Sequence, residues 1–136
     1  MNQSELKTIY RNKLQKVNPK NKKIIPGFVG TTFEMFSQWF DPATFGMGCY
    51  YCGTKNERSF ELYQLQRSGV RPDATRAGKR GRRLELDRKD PFLSYDRLDN
   101  LAWCCYWCNN AKSNFFSEAE FSPIARAIGE AIREIK

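Results

Sequence analysis

The chain contains no histidine. That absence removes imidazole, the side chain most often used as a general base near neutral pH. It also lacks any apolar run long enough to span a bilayer. The opening residues, Met1-Asn2-Gln3-Ser4-Glu5-Leu6-Lys7, carry no apolar core of a secretory signal. These absences set the expectation of a soluble, intracellular protein, cytoplasmic and bacterial or phage-like, with no membrane partner. There are no internal repeats. Acidic residues are in the minority, 15 against 23 Lys and Arg, which leaves a net charge of +8. The basic residues cluster. One group is Lys7, Arg11, Lys13, Lys16, Lys20, Lys22 and Lys23, and a second runs from Arg67 to Lys89. A polyanion is the natural partner of such clusters, and nucleic acid is the commonest polyanion.

The 136 residues suit one domain with a modest core, a size at which a metal staple is common. A hydrophobic content of 40% with 14% aromatics excludes wholesale disorder. Residues 4–17 have the spacing of a basic amphipathic helix that Asn18-Pro19 ends, and 20–30 read as a linker. Thr31 with Glu34 predicts a capping box, followed by a helix with Phe33, Phe36, Trp39 and Phe40 on one face. Residues 57–66 fit a strand or a short helix. Residues 67–83 read as an exposed, mobile basic loop. Leu84-Glu85-Leu86-Asp87 is strand-like, 95–100 a turn or second strand entry, and 109–114 the start of a helix. Ser117 and Glu120 predict a second capping box on a helix over 118–135.

The cysteines carry the sharpest signal. Cys49-Tyr50-Tyr51-Cys52 and Cys105-Tyr106-Trp107-Cys108 are two Cys-x-x-Cys turns, each able to present two thiolates to one ion. Together they make a tetrahedral zinc set, favoured over disulfides in a reducing compartment. Cys104 breaks the spacing and reads as a small buried hydrophobe.

A strand ending in an acid, a loop, then a helix with Asn beside a zinc knuckle resembles the HNH nuclease family, in its PacI-like branch. The matching run is Leu86-Asp87-Arg88, Tyr95, Asn100, Cys105-x-x-Cys108-Asn109-x-x-Lys112-Ser113-Asn114, with Cys49-x-Tyr51-Cys52-Gly53 as the first knuckle. The resemblance implies an α+β fold: a small zinc-stapled ββα-metal module over 45–116, after an N-terminal part over 1–44 and before a C-terminal helix over 117–136. It implies a divalent-metal-dependent DNA endonuclease, site-specific as restriction and homing enzymes are, working on double-stranded DNA as a homodimer. By position, Asp87 and Asn109 would hold Mg²⁺ or Mn²⁺, while Cys49, Cys52, Cys105 and Cys108 would hold structural Zn²⁺. Asn100 would fix the loop through its backbone.

The family's general-base histidine would stand at position 88, where this chain has Arg88. Arginine stays protonated, so it is expected to clamp the scissile phosphate instead. The base then comes from elsewhere, is a solvent or substrate oxygen, or is missing; Tyr51 and Tyr95 are the candidate side chains, on the expectation that a nearby metal and Arg88 depress the phenol. Lys112, Lys79, Arg80, Arg82 and Arg83 are expected at DNA phosphates. Asp90 and Asp99 read as turn and cap residues. The alternatives are a branched-DNA resolvase, a non-catalytic zinc-stabilised nucleic-acid-binding module, and a component of an RNA–protein assembly.

Overall fold

The computed structural model describes residues 1–73 and 80–136. Its α+β architecture wraps helices around two small two-stranded sheets. Helix α1 (Gln3–Asn12) is capped by the Asn2 side chain, which accepts from the Glu5 N–H. The helix stops at Asn12 rather than running to Val17. The backbone after it is claimed by pairing instead. Gln15 N–H donates to Phe28 O and Phe28 N–H to Lys13 O, while strand β1 (Lys16–Val17) pairs antiparallel with β2 (Ile24–Ile25). Gly27 makes this approach possible, because a Cβ there would lie 2.2 Å from Lys13 O.

Helix α2 (Phe33–Trp39) starts one residue later than expected. Thr32, not Thr31, caps it by accepting from the Met35 N–H. The Thr31 hydroxyl is taken by Asp96, which also accepts from the Val29, Gly30 and Thr31 amides. Short helix α3 (Pro42–Gly46) follows at once, with Asp41 as its cap and Pro42 at a position where no N–H is needed. Asp41-Pro42 therefore both ends one helix and begins the next.

The ambiguous stretch after the first knuckle is helix α4 (Asn56–Arg67). Its buried face includes Ser59 and Gln66 beside Leu62, so the apolar period was weak in the sequence. Strand β3 (Glu85–Arg88) pairs antiparallel with β4 (Leu101–Cys104). A 3₁₀ turn, Leu98–Asn100, leads into β4. Helix α5 (Tyr106–Lys112) starts inside the second knuckle, three residues before Asn109, with the Cys105 sulfur accepting from the Cys108 N–H. Helix α6 (Glu118–Glu134) carries the full Ser117/Glu120 capping box.

Trp103 on β4 is nearly sealed from solvent, with Phe45 edge-on at 5.0 Å and Phe40 and Trp39 at about the same range. Phe28, Phe36 and Tyr10 tie α1 and α2 into the same core. Phe121 of α6 closes the other side against Tyr51. Among the described residues no helix is long and apolar enough to cross a membrane.

Candidate functional site

The first knuckle is shaped by two glycines in the left-handed region, Gly48 (φ 93°) and Gly53 (φ 79°). At Gly48 a side chain would also collide with Thr54 O at 2.7 Å. Between them Cys49 N–H donates to Thr54 O and Gly53 N–H to Cys49 O. Tyr50 N–H then donates to Trp103 O, pinning this knuckle beside the end of β4. The second knuckle begins where β4 ends. The result is that the sulfurs of Cys49, Cys52, Cys105 and Cys108 all lie within 4.8 Å of one another. Four convergent thiols fit the soft tetrahedral donor set that zinc takes. Mutual hydrogen bonds divide the cluster, with Cys105 and Cys108 pulling the Cys52 thiol down to about 7 while Cys105 and Cys108 are themselves pushed up. Cys104 stands outside the cluster, fully buried, donating to Cys105 O. Burial pushes its thiol upward.

Beside this cluster, α5 packs on β3. Alternation along the strand places Glu85 and Asp87 on one face, and helical spacing places Asn109 and Lys112 on one face of α5. The two faces meet in pairs. Asn109 donates its amide to Glu85 Oε1 at 2.9 Å, and Lys112 Nζ lies 3.2 Å from Asp87 Oδ2. Tyr51 from the first knuckle donates to the same Asp87 oxygen. Among the described residues none donates a hydrogen bond to Asp87 Oδ1 or Asn109 Oδ1. Asp87 is buried, and that burial raises its carboxyl above the ordinary range against the pull of Tyr51, Lys112 and Arg88.

Several expectations need correction here. Lys112, expected at a phosphate, has a wholly buried side chain that contacts Asp87 and donates to Arg88 O. In this conformation it is the counter-ion of Asp87. The protein groups around Tyr51 act against the depression expected from a metal and Arg88. Burial, then the Asp87 charge, raises the phenol well above its usual value. Arg80 is not a loose loop cation. It ion-pairs with Glu85 through two nitrogens and lies over the Tyr106 ring. The flank of the expected mobile loop is also held, since the Ser59 hydroxyl donates to the buried Gly81 carbonyl. Lys79 lies outside the described residues. Arg82 lies exposed near the Phe60 ring, and Arg83 is half-buried.

Arg88 ends β3 with its guanidinium over the Tyr95 ring at 4.6 Å. It donates to Leu93 O and Asn114 Oδ1, and among the described residues it makes no direct salt bridge, although its charge is felt by Asp87. Tyr95 is thus a platform for Arg88 and does not touch Asp87. Asn100 locks the intervening loop by exchanging two 3.0 Å hydrogen bonds with the backbone of Asp90. Asp90 and Asp99 are turn residues away from Asp87. Asp90 accepts from Phe92 N–H, and Asp99 pairs with Arg97. Sequence reasoning missed Glu85 and Asn114. The one available signal for Glu85 was its position two residues before Asp87 on the same strand face.

The site is a thiol cluster joining the first knuckle to the junction of β4 and α5, with the acids of β3 facing an amide and an ammonium on the helix. No family model and no curated protein sequence matches the chain. Among solved structures it is similar to the rare-cutting HNH restriction endonuclease PacI, studied for how it perturbs DNA. The two chains are 28% identical, with a TM-score of 0.56 over 75% of this chain. The match spans 64% of the PacI chain. The α+β fold is that of the PacI HNH domain.

Proposed function

We propose that the protein is a zinc-stapled, divalent-metal-dependent endonuclease that hydrolyses DNA phosphodiesters, site-specifically in the manner of a restriction or homing enzyme. The observation that carries this reading is Asp87. It is a buried strand carboxylate with one oxygen held by Tyr51 and Lys112 and the other left open. The similarity to PacI supports the same reading.

In this reading Cys49, Cys52, Cys105 and Cys108 hold Zn²⁺, which joins the two knuckles. Asp87 Oδ1 and Asn109 Oδ1 are the hard oxygen donors for Mg²⁺ or Mn²⁺. That ion, when bound, neutralises charge on the scissile phosphate and the leaving 3′ oxygen. Glu85 orients Asn109 by accepting from its amide, which leaves the amide oxygen for the ion. Arg88, fixed by Tyr95, Leu93 and Asn114 and in no direct salt bridge among the described residues, presents its guanidinium to the phosphate and stabilises charge in the transition state. Of the two candidate tyrosines Tyr51 alone touches Asp87, and with its phenol raised it orients that carboxylate rather than accepting a proton. Arg82 and Arg83 lie nearby for further phosphates. One such module reaches one strand, so a double-strand cut takes a homodimer or two successive nicks.

A second reading is a non-catalytic zinc-stabilised nucleic-acid-binding module. Lys112 favours it, since an ammonium already balances Asp87 without a second metal. One assay separates the two. Zinc-loaded protein is incubated with supercoiled plasmid, with and without Mg²⁺, and nicked or linear product is scored. The nuclease reading expects Mg²⁺-dependent cleavage that Asp87→Ala abolishes while zinc content is kept. It also expects Tyr51→Phe to cost more in rate than Tyr95→Phe. Parent protein that binds plasmid without cutting it, or Asp87→Ala that cuts normally, would hand the function to the binding module.

A further inference from the structure

The hairpin formed by β1 and β2 has no role in the module described above, and its surface is unusual. Gln15 to Pro26 is exposed throughout except for half-buried Asn18. Antiparallel register sets Val17 opposite Ile24 and Lys16 opposite Ile25. Val17 and Ile24 are 61% and 62% exposed, so the ribbon shows solvent a largely uncovered cross-strand apolar pair. An isolated two-stranded ribbon with a bare apolar pair is marginal by itself. Around this pair stand Lys16, Lys20, Lys22 and Lys23, none of them in an ion pair among the described residues. No acidic residue occurs between Glu5 and Glu34.

The turn is well defined. Asn18 N–H donates to Lys23 O, the Asn18 side chain accepts from Lys20 N–H, and the Asn21 side chain accepts from Lys23 N–H. Lys22 occupies the left-handed region at φ 61°. The base is equally fixed, because Phe28 is buried against Tyr10 and Phe36. That base also reaches the site. Phe28 packs edge-on against Tyr95, and Lys13 lies over the same ring that supports Arg88.

We propose that the Lys16–Ile25 ribbon is a major-groove recognition element of this protein. Two paired strands stand 4.7–4.9 Å apart, and the major groove is about 12 Å wide, so a ribbon enters it with side chains to spare. The lysines meet phosphates along the groove walls. Val17 and Ile24 meet base edges, where a thymine methyl is the apolar feature they fit. The run has no carboxylate to balance its lysines, so its charge suits a polyanion, and the duplex is the polyanion that the proposed function supplies. Through Phe28 and Tyr95, seating the ribbon fixes where the backbone lies relative to Arg88. This inference rests on the DNA reading and adds where sequence is read.

The test uses zinc-loaded full-length protein without Mg²⁺, so that binding is read without cleavage. Labelled mixed-sequence duplex is titrated across a salt series with the parent, Lys20→Ala/Lys23→Ala and Val17→Ser/Ile24→Ser. All four positions are exposed, and a thermal melt confirms that each variant folds. Losing two phosphate contacts should flatten the slope of log affinity against log salt by ~1.8, at ~0.9 per contact. The Val17/Ile24 variant should keep the slope but lose preference in a selection from randomised duplexes. It should also lose protection of guanine N7, a major-groove atom, from dimethyl sulfate. Unchanged slope in the lysine variant, or unchanged preference and protection in the apolar variant, overturns the ribbon assignment. A parent protein that binds duplex while both variants match it leaves the nuclease reading standing and sinks this inference alone. A parent that binds no duplex at any salt sinks both. If that parent instead binds anionic phospholipid vesicles through Val17 and Ile24, the ribbon is a membrane contact.

Discussion

Replacing Lys112 by Met is the sharpest test of the buried acid–cation pair. Lys112 is fully enclosed, and its ammonium sits 3.2 Å from Asp87 Oδ2 and 2.8 Å from Arg88 O. Coulomb's law at an effective dielectric of 20 gives ~5 kcal/mol for unit charges at that separation. Met fills much of the same volume, so little of the loss comes from packing. What remains is a buried carboxylate without its ion-pair partner, held only by Tyr51 and the more distant Arg88, and a strand carbonyl without the Lys112 donor. Breaking a buried pair from one side typically costs about 3–5 kcal/mol, a large fraction of a domain's stability. Urea unfolding of zinc-loaded protein at neutral pH should therefore show a markedly lower midpoint for Lys112→Met. Asp87→Asn added to that variant should restore much of the loss, because the uncompensated charge is gone. The phosphate-contact expectation says the opposite: little change in stability and a flatter salt dependence of DNA binding. A Lys112→Met variant within ~1 kcal/mol of the parent, or no recovery in the double variant, would refute the counter-ion assignment.

Cys105→Ser should abolish stoichiometric zinc by elemental analysis and leave the chain unfolded, whereas Cys104→Ser should keep zinc and fold with a modest loss. Arg88→Ala should slow plasmid cleavage by two to three orders of magnitude, about 2.7–4 kcal/mol of transition-state stabilisation, with duplex affinity little changed. Comparable rates in parent and variant would remove Arg88 from the chemistry. Asp96 should titrate below the ordinary carboxylate value. Slight burial pushes it up, but the Thr31 hydroxyl and the amides of Gly30, Thr31 and Val29 outweigh that. Its folded-state value is lowered, so its stabilisation is complete above ~3.9 and is lost as pH falls through the folded value. An NMR titration of its carboxyl carbon with a midpoint at or above 3.9 would count against this account.

Local chemistry was written in the sequence. A Cys-x-x-Cys turn depends on four neighbouring residues, so both knuckles were readable. The Ser117/Glu120 cap closes within four residues, and α6 announced itself through a long period of Phe121, Ala125 and Ile132. The strand holding Asp87 and the anomalous Arg88 were visible for the same reason. Contacts between distant segments were not. Nothing in the sequence distinguishes a surface lysine from Lys112, whose partner Asp87 lies on another element. Arg80 looked like one more cation in a basic run until Glu85 was found against it. The end of α1 was set by Phe28, which recruits the backbone of Lys13 and Gln15 into pairing and overrides a helical period that continued to Val17. Gathering four sulfurs into one cluster required the first knuckle to dock on Trp103 O and the β3–β4 hairpin to deliver the second. Sequence fixes what each short segment prefers. Burial and charge pairing are properties of surfaces that meet only after folding, so the counter-ion of Asp87, the platform under Arg88 and the exposed ribbon belong to the tertiary structure.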